Sequence, residues 1–240
     1  TPTRSLRTAL HEDQELLLVG GNGHEVGHFP KPASDLVDDL INWTKIHFPG
    51  AEVTHIWSAQ DYQSHNHVPF VGKLPRGGGH VQLATGYGKW GMTNAAMAAM
   101  MIADNTLGDK TEWARTLGTR ISKPASVLTG LRFNAGVGFT AVQGWLRTGL
   151  RPSTTAETKP REGDGQVSLQ HGRPVATSTV SGSTCAVSAV CTHLGGIVRW
   201  NDLEHSWDCP LHGSRFAADG TALEGPATSN LERQDADARD

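Results

Sequence analysis

Cys191-Thr192-His193-Leu194-Gly195-Gly196 and, further along, Cys209-Pro210-Leu211-His212-Gly213-Ser214 are the two stretches on which the reading of this chain turns. Each supplies one thiolate and one imidazole, residue types that bind borderline and soft transition metals. Two Cys and two His can form the tetrahedral shell of a structural zinc ion. A zinc finger normally takes its cysteines from one place and its histidines from another, whereas here each loop gives one of each. The neighbouring glycines and proline let backbone N–H groups come close to the ligand atoms, and such hydrogen bonds tune a metal centre.

Ligand types, spacing and flanking glycines together resemble the Rieske family. What the resemblance implies is a [2Fe-2S] cluster with Cys191 and Cys209 on one iron and His193 and His212 on the other. That ligand set raises the reduction potential above that of an all-cysteine ferredoxin. Membrane-complex members carry a further cysteine in each loop and join the two in a disulfide; Gly196 and Leu211 stand at the matching positions, so no bridge is expected. Ser214 keeps a hydroxyl that in the family donates to a bridging sulfide. Phe216 stands where high-potential members have a tyrosine hydroxyl aimed at a ligand sulfur. Loss of one donor predicts an intermediate potential, within a family range of about −150 to +300 mV. The histidines are expected to keep an exposed ring edge for electron exit, with a potential that falls as pH rises.

Composition bounds the rest. With 240 residues, 37% hydrophobic and 19% charged, the chain reads as one or two ordinary globular domains. A net charge of −3 and a pI near 6.4 give no footprint for nucleic acid or an anionic membrane surface. Of the three cysteines, Cys185 is left over, inside the alternating run from Thr184 to Val190. It reads as a small buried hydrophobe, and an unpaired thiol predicts a reducing, cytoplasmic setting. The apolar stretches Ala95–Ala103 and Val127–Leu146 are too short, or are broken by Arg132, Asn134 and Gln143, to be membrane spans. Thr1 to Leu10 shows neither a signal pattern nor a domain start, so the chain reads as the back part of something longer.

The fold class read from these patterns is α+β. Leu16-Leu17-Leu18-Val19 and Val53-Thr54-His55-Ile56-Trp57 look like strands, and Ser34 to about His47 like a helix with Leu36, Leu40, Ile41 and Trp43 on its buried face. Val81 to Thr85 reads as a strand running into Gly86-Tyr87-Gly88-Lys89-Trp90-Gly91. A helix follows, with Thr93 as N-cap, Met97, Met100, Met101 and Leu107 as its apolar face, and Gly108 as its stop. Pro124 to Leu150 predicts another helix, and residues 151–164 a linker. Short strands beyond it, separated by Gly172, Gly182, Gly195-Gly196, Asn201-Asp202, Gly213 and Asp219-Gly220, predict a small all-β domain with two loops at its tip.

A strand, a glycine-rich turn and a helix N-terminus favour negative charge, because unpaired N–H groups and the helix dipole converge there. The string ATGYGKWGMTNAAMAAMMIAD, with SAQDY and VPFVGKLP before it and GDKTEWARTL after it, resembles the C-terminal part of FAD-dependent oxidoreductases of the D-amino-acid-oxidase-like (DAO) family. That resemblance covers about residues 5–118, and the family variant ending in a Rieske domain covers the whole chain. It implies that Gly86, Gly88, Trp90, Gly91, Met92 and Thr93 lie against FAD, with the helix N-terminus aimed at the pyrimidine edge of the flavin. It also implies three parts: residues 1–120 as the C-terminal part of a DAO-like FAD and substrate domain, 121–158 as connecting helix and linker, and 159–240 as the Rieske domain.

The G-x-G-x-x-G turn that grips the ADP of FAD has no counterpart. Val19-Gly20-Gly21-Asn22-Gly23-His24-Glu25-Val26-Gly27 leads into Phe29-Pro30-Lys31-Pro32, which cannot continue as a helix, and reads as a turn. FAD is therefore expected only together with a separate or upstream FAD-binding half. Asp61, His65 and His67 invite a two-His-one-carboxylate iron site of an oxygenase, although a polar loop facing flavin or substrate is the simpler reading. The sequence thus points to an oxidoreductase passing electrons from a small molecule, an amine or amino acid, through FAD to a [2Fe-2S] cluster and on to an acceptor protein or quinone-like acceptor. The alternative is a stand-alone Rieske-type carrier whose front part is a non-catalytic docking domain.

Overall fold

The computed structural model describes residues 3–28, 31–64, 66–74, 77–108, 111–118, 124–150 and 159–234, with side chains of the last helix described over 136–149. In chain order the elements are β1 (Ser5–His11), β2 (Gln14–Gly20), α1 (Ala33–His47), β3 (Phe70–Lys73), β4 (Gln82–Thr85), α2 (Gly91–Leu107), α3 (Glu112–Gly118) and α4 (Pro124–Leu150). Then come β5 (Gly165–Gln170), β6 (Arg173–Val180), β7 (Ser183–Ser188), β8 (Arg199–Asn201), β9 (Ser206–Asp208), β10 (Arg215–Ala217) and β11 (Ala222–Glu224). Mixed helices and small antiparallel sheets make the chain α+β, as its patterns imply. The elements gather into two units, Thr1–Ser58 with Val137–Asp240, and Ala59–Gly136. Among the described residues no helix is long and apolar enough to cross a membrane.

In the first unit β1 and β2 form a hairpin, turned by Glu12 and Asp13 at positive φ, as a two-residue loop between right-twisted strands requires. Arg4 ties this hairpin to α1 through Asn22 Oδ1 (2.6 Å) and Asp39 Oδ2 (2.8 Å), and Asn22 donates to the Leu36 carbonyl (2.7 Å). The far part of the unit is all-β: a three-stranded sheet in the order β5-β6-β7 and a four-stranded sheet in the order β11-β10-β9-β8. Its core joins Ala176, Val187, Ile197, Val198, Trp207, Leu211, Phe216 and Leu231 with the sulfurs of Cys191 and Cys209, and Val137 and Ala141 of α4 pack against it. Gly165 has no room for a side chain, since a Cβ there would run into the Trp200 ring, whose Nε1–H donates to the Gly163 carbonyl (2.9 Å).

In the second unit β3 and β4 pair from Phe70 with Thr85 to Lys73 with Gln82, and Gln63 bridges to Tyr87 beyond them. α2 buries Ala98 and Met101, and its chain stops at Gly108 in the left-handed conformation (φ 86°).

Four expectations need correction. Val53 to Trp57 is not a strand: it finds no pairing partner among the described residues, and Val53, Ile56 and Trp57 are exposed. Thr93 is not the N-cap of α2, because Gly88 and Lys89 at φ 56° and 71° turn the chain early enough for the helix to start at Gly91, with Trp90 at the cap. Met100 and Leu107 fall off the buried stripe of α2 and are exposed. Cys185 is half-buried in β7, the last strand of its three-stranded sheet.

The N-terminus of α1 is capped from far along the chain. Asp202, in the turn after β8, accepts from the Ala33 N–H (2.9 Å) and from the Ser34 hydroxyl. Burial pulls the Asp202 pKa up, but these hydrogen bonds overbalance it and hold the carboxyl below its ordinary value. A carboxylate depressed in the folded state adds stability that is fully present above about pH 4 and is lost as pH falls through the folded pKa. Asp202→Ala should therefore cost about 1–2 kcal/mol at neutral pH, and urea unfolding curves of the two proteins should converge in acid.

Candidate metal centre

The two cysteine loops are closed in the same way. In the first, between β7 and β8, the Cys191 N–H donates to the Gly196 carbonyl (2.8 Å) and the Gly195 N–H to the Cys191 carbonyl (3.0 Å). In the second, between β9 and β10, the Cys209 N–H donates to the Ser214 carbonyl (2.8 Å) and the Gly213 N–H to the Cys209 carbonyl (3.0 Å). Each closure needs a left-handed residue at its fourth step, which Gly195 (φ 71°) and Gly213 (φ 78°) supply. Backbone N–H groups of His193 and Leu194 then point at the Cys191 sulfur, and those of Leu211 and His212 at the Cys209 sulfur. Two loops of different sequence thus present equivalent sulfurs.

Both sulfurs are turned inward, at 3% and 2% residue exposure, and hydrogen-bond to each other. The Cys191 thiol is held down first by the bond from Cys209, then by the N–H groups and the Ser214 hydroxyl, against burial; Cys209, the donor of that bond, is held up by it and by burial. Two inward sulfurs that share hydrogen-bond donors from both loops are the atoms a soft metal ion would take. Beside them the His193 and His212 rings meet edge to face, with centroids 5.0 Å apart. His212 Nδ1 is buried with no hydrogen-bond partner, and burial, then the nearby His193, keeps this imidazole from taking a proton. A buried, neutral, unpartnered imidazole nitrogen is a ligand atom in waiting. Among the described residues no three His, Cys, Asp or Glu side chains converge as on a single ion; a centre that takes two sulfurs on one iron and two imidazoles on the other requires pairs instead. The residues present fit that group.

Around the loops lies a frame that the ligand motif does not announce. Asp208, 2% exposed, precedes Cys209, and Arg215 follows Ser214; Arg215 Nε donates to Asp208 Oδ1 (3.1 Å) and Nη2 to Ser206 Oγ (3.2 Å), while Asn201 and Ser206 also donate to Asp208. This pair pins both ends of the second loop. Ser214 Oγ accepts from the Ala227 N–H (3.0 Å) and Thr192 Oγ1 donates to the Ser229 carbonyl (2.7 Å), so one C-terminal segment ties down both loops. Gly196 faces Leu211, the pair expected to lack the loop disulfide of membrane-complex Rieske proteins: a Cβ on Gly196 would lie 2.7 Å from Leu211 Cγ. Gly27 presses on Pro210 and accepts from Arg199 Nη1 (3.0 Å), which brings the turn before α1 onto the second loop. Asp208 and Arg215 could have been suspected from their places beside the ligand loop; nothing local marked Gly27.

The residues expected to meet flavin lie together in the other unit. Gly86 and Gly88 have positive φ, and a Cβ on Gly86 would crowd Ser64. The Lys89 N–H donates to Asp61 Oδ2, so Asp61 braces this turn. Gly91, Met92 and Thr93 form the first turn of α2, which no side chain caps, and Trp90 and Met92 are 71% and 82% exposed, so neither is a core residue. His67 Nδ1 pairs with Gln63 Nε2 (2.5 Å), and His65 lies outside the described residues.

Comparison with known proteins finds two family matches along the chain. Residues 2–105 match the family model of FAD dependent oxidoreductases, and residues 155–234 match that of the Rieske [2Fe-2S] domain. A Bacillus subtilis (strain 168) protein, YhfW, provisionally named a Rieske 2Fe-2S iron-sulfur protein, is 31% identical over 98% of this chain and 46% of its own length. The chain thus spans less than half of that relative. The cytochrome b6-f complex iron-sulfur subunit of Synechococcus sp. (strain JA-3-3Ab) is 52% identical over 19% of this chain and 27% of its own. Among solved structures, the plasma membrane Rieske protein PetC3 of Synechocystis PCC 6803 is 35% identical over 29% of this chain and 72% of that one, with a TM-score of 0.27.

Removing Arg215 leaves the Asp208 carboxylate buried without its counter-charge. Arg215→Ala should cost about 3–5 kcal/mol, read from urea unfolding, and should lower the iron content of the purified protein.

Proposed function

Given a chain that joins part of an FAD-dependent oxidoreductase to a Rieske [2Fe-2S] domain, we propose that it is the iron-sulfur half of an oxidoreductase that passes electrons from a small organic substrate, an amine or amino acid, through FAD to the cluster and on to an acceptor. Cys191 and Cys209 hold one iron, and His193 and His212 the other. The observation that carries this assignment is the inward pair of hydrogen-bonded thiols beside the buried, unpartnered Nδ1 of His212. Residues 159–240 are the electron-transfer domain, 121–158 the connection, and 1–120 the flavin-side domain. Bound flavin would supply two-electron acceptance from substrate, and a cluster held by Cys191, Cys209, His193 and His212 would supply one-electron relay at a potential above that of an all-cysteine centre.

The residues of the chain set the conditions for this. His193 and Leu194 at the tip of the first loop are exposed, which supports a close approach there by an acceptor protein or a quinone-like acceptor. The uncapped first turn of α2, flanked by exposed Trp90 and Met92, suits the electron-rich edge of a flavin held by an FAD-binding half. Gly86, Gly88, Gly91 and Thr93 complete that surface. Cys185, left unpaired once the other two cysteines hold iron, accords with a cytoplasmic setting.

Absorption and reduced-state EPR of the purified chain test the assignment: a Rieske-type signal is expected, lost in Cys191→Ser and in His212→Ala. Flavin should appear when an FAD-binding half is supplied. A cluster signal without flavin under that condition would leave the carrier reading standing in place of this one.

Phe216 lies fully buried in β10, opposite Trp207. Potentiometric titration of Phe216→Tyr should give a higher midpoint than the parent, because a hydroxyl donor to ligand sulfur stabilises the reduced centre. An unchanged or lower midpoint would count against the role given to this position.

A further inference from the structure

α4 stands outside the span that matches the Rieske family, yet one of its residues reaches the first ligand loop. Val137 and Ala141 of this helix pack on the β core, a Cβ on Gly144 would touch Ile197 (3.5 Å), and Thr148 is buried. These positions recur at helical spacing and seat the helix against the loop that carries Cys191 and His193. From the edge of that seat Trp145, 46% exposed, turns its Nε1–H to the Gly195 carbonyl (3.1 Å). An indole at the surface finds water on all sides, so an N–H directed at the ligand loop calls for a reason.

We propose that Trp145 is a positioning residue for the cluster, acting through the Gly195–Gly196 peptide. In a trans peptide the carbonyl and the next N–H point in opposite directions within one rigid plane. A donor fixed on the Gly195 oxygen therefore fixes where the Gly196 N–H points. Gly196 lies against the second ligand: a Cβ built there would be 3.0 Å from Cys209 Sγ. Hydrogen bonding to a peptide oxygen also strengthens the N–H of the same peptide as a donor. A stronger, fixed dipole at this place favours the more negative, reduced centre, so Trp145 raises the reduction potential. The inference rests on the assignment of the cluster to these loops, and it makes the helix before the Rieske domain a working part of the centre.

The test compares Trp145→Phe, which keeps the ring and removes the donor, with Leu146→Ala, which removes exposed apolar surface from the same helix. Midpoint potential and reduced-state g values are read in full-length, cluster-loaded protein. A downward shift and altered g values in Trp145→Phe, with Leu146→Ala unchanged, are expected. No shift, an upward shift, or the same shift in both variants overturns the proposal. Failure to load iron in the unsubstituted chain would instead refute the cluster assignment itself. Should only Trp145→Phe fail to hold the cluster, the 15N-indole resonance of Trp145 in the unsubstituted chain decides. Slow exchange without metal and a redox-dependent shift with it support the bond, whereas fast exchange or no redox-dependent shift overturns it.

Discussion

Two sulfur atoms have to be carried into an apolar core and kept there, and the backbone closure of the two cysteine loops is what achieves it. Each cysteine uses its own N–H and carbonyl to close its loop, so both of its backbone groups are satisfied within the turn. That leaves the neighbouring N–H groups free to turn toward sulfur. The rest of the domain follows from this. β9 and β10 end where the second loop needs them, the Asp208–Arg215 pair sits at its two feet, and the segment around Ala227 and Ser229 covers the gap between the loops. Burial of Asp208 is tolerable because the guanidinium, Asn201 and Ser206 satisfy its oxygens together.

The centre was far more legible in the sequence than the frame around it. Cys191, His193, Cys209 and His212 could be read as candidate ligands because metal chemistry restricts residue type and spacing at once. Gly195 and Gly213 could be read because the left-handed turn restricts them nearly as tightly. By contrast, the Arg4–Asp39 and Asp202–Ser34 contacts join residues far apart in the chain, and nothing near either partner announces the other. Val53 to Trp57 has β propensity without forming a strand, because propensity needs a hydrogen-bonded neighbour and no described strand pairs with it. The start of α2 moved to Gly91 because a non-glycine residue, Lys89, takes the left-handed conformation, which its side chain does not advertise.

Capping links the two ends of the chain. The first turn of α1 depends on Asp202, and the turn before it rests on Pro210, so the early hairpin-and-helix segment and the ligand-bearing sheet share one set of polar contacts. A sequence comparison divides the chain between two families, but the atoms that stabilise α1 lie inside the second. Folding of the early segment is accordingly coupled to that of the late one, and loop-closure entropy over this separation opposes it.

Gly196 and Leu211 meet at the seam between the loops without a covalent link. Cohesion there comes from close contact of carbon atoms, which thiol exchange cannot touch. This contact therefore does not depend on the redox state of any bridge. Its sensitivity is to shape instead: a single added methyl at position 196 would meet both Leu211 and the Cys209 sulfur and wedge the loops apart.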